Sequence, residues 1–65
     1  MKIRLNGAET ETSARTLAEL LDELHLPAAT VLVEQNGQAP ARSQWASASL
    51  NERDAIEILR VAAGG

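Results

Sequence analysis

Leu17, Leu20, Leu21 and Leu24 recur at i, i+3, i+4 and i+7, and this leucine stripe is the strongest constraint on the fold. Thr16 stands before it as a candidate N-cap, with Glu19 three residues on in capping-box spacing. Pro27 ends the helix after Leu26. No second segment of the 65 residues repeats at helical period, so the remaining chain must cover this one stripe with strands. A domain this small buries only about 60% of its unfolded surface, so nearly every apolar side chain has to serve the core. That leaves no room for a deep cleft, and a carrier, subunit or binding module fits the length better than an enzyme.

The strand signals surround the stripe. Met1 to Leu5 alternates apolar and charged residues, with Met1, Ile3 and Leu5 inward. Asn6-Gly7 then signals a type I′ hairpin turn, and Ala8 to Thr12 is the return strand, at a sheet edge. Glu19, Asp22 and Glu23 fall on the solvated face of the helix and serve solubility. Ala28 to Val33 holds the densest β-branched run and is expected as a central strand. Asn36-Gly37 is a second turn, and Pro40 limits Gln38 to Arg42 to a short, irregular strand. Ser43 to Ala46 supplies one helical turn with Trp45 as a lid on the core. Asn51 to Asp54 is turn material launching a last strand from Ala55 to Val61. In that strand Ile56 and Ile58 face one way and Glu57 and Leu59 the other. Residues 1–61 are thus expected as one folded body, an α+β roll of a mixed sheet with the helix laid across one face. Residues 62–65, Ala62-Ala63-Gly64-Gly65, are expected as a projecting mobile tail.

Composition excludes several kinds of chemistry. The net charge is -3, the six cations are scattered, and Trp45 is the single aromatic residue, which argues against nucleic-acid binding. There is no cysteine and one histidine, His25, so neither a thiolate zinc site nor a histidine-based triad or metal pair is available. No catalytic residue and no bound metal or cofactor are expected. No apolar run suits a signal peptide or a membrane span, and a cytoplasmic, monomeric protein is the expectation. The pair Gly64-Gly65 lacks Cβ atoms and can enter a narrow channel at φ values other residues avoid.

Taken together, Thr16-Leu17-Ala18-Glu19-Leu20-Leu21, Asn36-Gly37 with Arg42 and Trp45, Asp54 to Ile58 and the closing Ala63-Gly64-Gly65 resemble a known family. It is the sulfur carrier family of thiamin biosynthesis, ubiquitin-like proteins of the β-grasp fold, and the likeness covers essentially the whole chain. Gln35 and His25 depart from the family pattern, which commonly has an apolar residue and a glycine at those places. The resemblance implies that a partner activating enzyme, using ATP and magnesium, adenylates the carboxylate of Gly65. A sulfur donor such as a cysteine desulfurase system then converts it to a thiocarboxylate, which thiazole synthase consumes. Gly64, Ala63 and Ala62 would give clearance in the partner's channel. Leu59 and Val61 either form an apolar docking surface or fold into the end of the core. Arg60 and Arg42 either add polar docking contacts or are simply solvated. Other readings remain: another thiocarboxylate carrier such as the molybdopterin synthase small subunit, a ubiquitin-like modifier, or a passive binding module.

Overall fold

A computed structural model describes residues 1–61 of the chain. Its sheet has four strands: β1 (Lys2–Leu5), β2 (Ala8–Glu11), β3 (Val31–Gln35) and β4 (Ala55–Arg60). Their order is β2-β1-β4-β3, with β1 and β4 parallel in the middle and both outer pairings antiparallel. The helix α1 (Leu17–Glu23) packs on one face. Ile3, Val31, Val33, Ile56 and Ile58 point into that layer and meet Leu17, Leu20 and Leu21. Trp45 and Leu50, from the long β3–β4 connection, close the core.

Both ends of α1 are built from local chemistry. The Thr16 hydroxyl accepts the Glu19 backbone N–H at 3.1 Å, as the spacing predicts. The Glu19 carboxylate reaches one residue further back than a capping box requires and accepts the Arg15 N–H at 2.7 Å. At the other end His25 takes φ 58°, the left-handed conformation that glycine usually supplies. The His25 N–H donates to Asp22 and the Leu26 N–H to Leu21, a complete Schellman pattern. Glu23 lies on the exposed face, as expected, but it also serves a structural contact. Its carboxylate accepts the Thr12 and Ser13 hydroxyls, tying α1 to the end of β2, and these bonds hold its pKa below the ordinary value. Helical periodicity shows which face a residue occupies, not what the next loop brings up to that face.

Two further expectations are corrected. Ala28 to Val33 is not a central strand: Ala28–Thr30 forms a 3-10 turn, and β3 begins at Val31 and lies at the sheet edge. The Thr30 hydroxyl and N–H both bond to the Pro27 carbonyl, which winds those residues up before the strand starts. Gln38 to Arg42 forms no strand. Gln38 makes a single bridge to Gln35 across the Asn36-Gly37 turn, and a 3-10 turn at Arg42–Gln44 then delivers Trp45 to the core.

The two Asn-Gly turns do more than reverse the chain. Asn6 and Gly7 sit at φ 49° and 83°, Asn36 and Gly37 at 53° and 83°, as type I′ turns demand. The Asn6 side-chain oxygen also accepts the Ile58 N–H at 2.8 Å, adding a rung to the short parallel β1–β4 ladder. The Asn36 side-chain oxygen accepts the Ala55 N–H at 2.9 Å. Its amide N–H donates at 3.0 Å to Asp54, which is buried and also accepts from the Gln35 side chain and the Asn51 N–H. The polar Gln35 is therefore matched by a buried acceptor.

Burial is the largest single influence on Asp54 and raises its pKa, but its three hydrogen bonds together prevail and the net direction is downward. A carboxyl whose folded pKa lies below its unfolded one stabilises the fold above the unfolded value and loses that contribution as pH falls through the folded value. Stability is therefore expected to decline below about pH 4. Asp54→Asn, which sets an amide against three donors, should lower the denaturation midpoint at pH 7 and flatten the acid limb. Glu23, whose hydroxyl partners also hold its pKa low, contributes to the slope that remains. Urea melts from pH 2 to 7 check this; an acid limb identical to the wild type would remove Asp54 from the explanation.

Candidate functional site

The last strand carries the chain toward the residues singled out for function. Parity along β4 sends Ile56 and Ile58 into the core and leaves Glu57 and Leu59 on the outer face. The Val61 N–H donates to the Thr30 carbonyl at 2.9 Å, which holds the end of β4 beside the start of β3. Leu59 is 56% exposed and Val61 39% exposed. Both thus lie on the surface, and the alternative that strand twist folds them into the core is set aside. Gly65, Gly64, Ala63 and Ala62 lie outside the described residues.

Opposite Leu59 in the β3–β4 register is Leu32, itself 52% exposed. Sequence reasoning missed Leu32. Its signal was the alternation Val31-Leu32-Val33, in which only the middle residue changes face; reading Ala28 to Val33 as one β-branched central strand concealed it. Leu32 and Leu59 floor an open groove of about 310 Å³, with Pro40, Arg42, Trp45 and Glu34 along its sides.

Arg42 and Arg60 are exposed but differ in employment. The Arg42 guanidinium lies 5.4 Å from the centre of the Trp45 ring. It donates to the Ala28 carbonyl at 3.0 Å and to the Val31 carbonyl at 2.9 Å. Arg42 thereby staples the β3–β4 connection to the start of β3 and shapes the groove wall. The Trp45 indole N–H donates to the Pro40 carbonyl at 3.1 Å, fixing the same wall from within. Arg60 pairs with Val31 in the ladder.

Among the described residues no three His, Cys, Asp or Glu side chains converge as metal ligands. No helix there is long and apolar enough to cross a membrane. What the architecture provides is a four-stranded sheet, an apolar outer corner, and a last strand that leads in sequence from that corner to residues 62–65.

Residues 3–65 match the model of the ThiS family, so the match takes in both the β-grasp body and the Gly-Gly pair. The chain belongs to the ThiS family. It is similar in structure to a thiamine biosynthesis protein (ThiS) from Geobacter metallireducens. The crystal structure superposes with a TM-score of 0.85 at 29% identity, over all of both chains. An NMR solution structure of a thiamine biosynthesis protein from the same organism gives 0.80 at 32% identity, covering all of this chain and 88% of that one. These likenesses establish the ubiquitin-like β-grasp fold for the ThiS-family chain. It is also 36% identical over 66 residues to a thiazole synthase of Paramagnetospirillum magneticum. The match takes in the whole of this chain but spans only 20% of that relative's length.

Proposed function

We propose that this protein is a sulfur carrier for thiamin biosynthesis and that the carboxylate of Gly65 is the group that carries the sulfur. The observation that carries the reading is the ThiS family match, which runs unbroken through the β-grasp body into Gly64-Gly65. A carboxylate is a poor electrophile, so its oxygen must first become a leaving group. In the proposed sequence the carboxylate attacks the α-phosphorus of ATP on a partner activating enzyme, with magnesium, and pyrophosphate departs. A donor delivering a sulfide equivalent then displaces AMP and leaves a thiocarboxylate. No thiol of the carrier takes part, in keeping with a sequence without cysteine.

On this reading the chain is a protein co-substrate, and its own work is to position and present the end it carries. Gly64, Ala63 and Ala62 keep the approach thin, and Leu59 and Val61 contribute the apolar contact beside it. Arg60 adds a polar contact at the same corner; Arg42 acts through the groove wall that it holds in place. A thiazole synthase is the proposed acceptor of the sulfur. This is supported by the stretch resembling this entire chain within a relative of that name.

Intact mass spectrometry after incubation with the activating enzyme, ATP, magnesium and a sulfur donor tests the proposal. The expected product is heavier by one oxygen-to-sulfur exchange and reverts when thiazole synthase and its substrates are added. Conjugates of higher mass would instead indicate a ubiquitin-like modifier, and an unchanged mass would indicate a passive module.

A further inference from the structure

The end of β4 is held by a single hydrogen bond. Val31 and Arg60 form a non-hydrogen-bonded pair, and beyond it the Val61 N–H donates to the Thr30 carbonyl at 2.9 Å. By the alternation of an antiparallel ladder, the next hydrogen-bonded pair is Leu32 with Leu59, two residues back along β4. Thr30 itself belongs to the 3-10 turn Ala28–Thr30, in which no residue is buried. The turn's own bonds, from Thr30 to the Pro27 carbonyl and from the Val31 N–H to the Ala28 carbonyl, are all local.

Arg42 braces this turn from outside. Its Nε donates to the Ala28 carbonyl at 3.0 Å and a terminal guanidinium nitrogen to the Val31 carbonyl at 2.9 Å, so the two bonds stand on either side of Thr30. Among the described residues no other side chain bonds to the backbone of residues 28–31. Arg42 is anchored in turn. Its guanidinium lies over the ring of the buried Trp45, whose backbone carbonyl accepts the Ala18 N–H of α1. A continuous line of contacts therefore runs from the helix through Trp45 and Arg42 to the turn, and from Thr30 to Val61.

Resting on the proposed adenylation of Gly65, we infer that Arg42 is a positioning residue for that reaction: it fixes the Thr30 carbonyl, and through it Val61, so that Gly65 is delivered from a set origin. With Val61 held, the carbonyl of Gly65 lies at most about 14 Å from it. Without that bond the last hydrogen-bonded pair is at Leu59, and the reach grows by about 7 Å. Two more residues must then be ordered before the carboxylate can meet the α-phosphorus of ATP, and that entropic cost falls on every turnover.

The test pairs amide hydrogen exchange, followed by NMR, with steady-state pyrophosphate exchange on the cognate activating enzyme. Arg42→Met keeps an unbranched apolar stem over Trp45 and removes every donor. Its Val61 amide should exchange about tenfold faster than in wild type, while the Ile56 and Ile58 amides stay within about twofold. In pyrophosphate exchange kcat should fall about tenfold with KM little changed, at low and high salt alike, because delivery and not association is lost. Arg42→Lys, with one ammonium for two carbonyls, should lie between the two in both measurements. Arg15→Gln removes one positive charge elsewhere and should behave as wild type. Wild-type Val61 protection or wild-type kcat in Arg42→Met overturns the inference. So does faster exchange shared by Ile56 and Ile58, which would mean general support of the sheet, or a loss confined to kcat/KM that high salt abolishes. An equal loss in Arg15→Gln overturns it too, and in all these cases adenylation of Gly65 stands. If wild type supports no pyrophosphate exchange at all, the functional reading itself fails and this inference with it.

Discussion

Removal of Gly65 is expected to abolish sulfur loading while leaving the fold as stable as before. The shortened chain would present its reactive carbonyl a residue length away, about 3.3–3.6 Å from where the activating enzyme needs it. Displacement of reacting atoms by around 1 Å already costs roughly a hundredfold, so pyrophosphate exchange should fall by at least that factor. Gly64→Val should act in the same direction by placing a branched side chain where a narrow channel is expected. Neither change should move the denaturation midpoint. The eleven buried apolar residues of the core, among the described residues, all lie between Ile3 and Ile58. Exchange assays followed by intact mass, paired with urea melts of the same samples, provide the check. Wild-type loading of the shortened chain would show that Gly65 is not the working end, and the carrier reading would be abandoned.

The opposite pattern is expected from Leu20→Ala. Leu20 is 1% exposed in the middle of the stripe, where helix and sheet meet. Truncating a core leucine costs about 2–5 kcal/mol through lost burial and the cavity left behind. Stabilities of roughly 0.05–0.15 kcal/mol per residue give a domain of this length only about 3–10 kcal/mol in all. The variant should therefore lose a large part of its stability, and at the upper end it will not fold. A urea melt should show a much lower midpoint with an unchanged slope. Leu59→Ala, on the outer face at 56% exposure, is the matched control. It should change the stability by no more than about 0.5 kcal/mol, as surface substitutions usually do. A Leu20→Ala midpoint within error of wild type would mean that the stripe does not face the sheet. Sulfur loading by Leu20→Ala should fall only in proportion to the fraction unfolded.

Local signals in this sequence were legible where one residue type has one dominant reason to be there. The leucine stripe, the Thr16 cap, the two Asn-Gly turns and the alternation of β4 all appear in the structure. Long-range placement was not legible. Val31 to Val33 carries the composition of a buried strand, yet β3 lies at the edge, because order in a sheet depends on which strands meet and not on any one of them. Leu32 was missed as well, since its exposure follows from its parity on the face that α1 leaves uncovered and its pairing with Leu59 from register. Arg42 read as a surface charge because nothing in Arg-x-x-Trp spacing shows the carbonyls of Ala28 and Val31 waiting for its guanidinium. The use of Glu23 as a clamp and of Asp54 as a buried acceptor was hidden in the same way. Both look solvated in the sequence, and both take side-chain partners from ten or more residues away.

The parallel pairing of β1 with β4 also fixes the order of events when the protein is made. β4 is the last strand to be synthesised, yet it lies between β1 and β3 and pairs with both. A nascent chain that stops before Ala55 has a hairpin, a helix and a detached β3, with nothing to join the two halves of the sheet. Contacts of such wide sequence separation make for slow, late closure, and during synthesis the ribosome withholds the one segment that can close the sheet. The six residues that complete the sheet are followed after Val61 by residues 62–65. On the proposed function, a partner that meets the outer corner of β3 and β4 on its way to Gly65 would therefore also inspect whether the molecule has finished folding, since an incomplete chain has no such corner to offer.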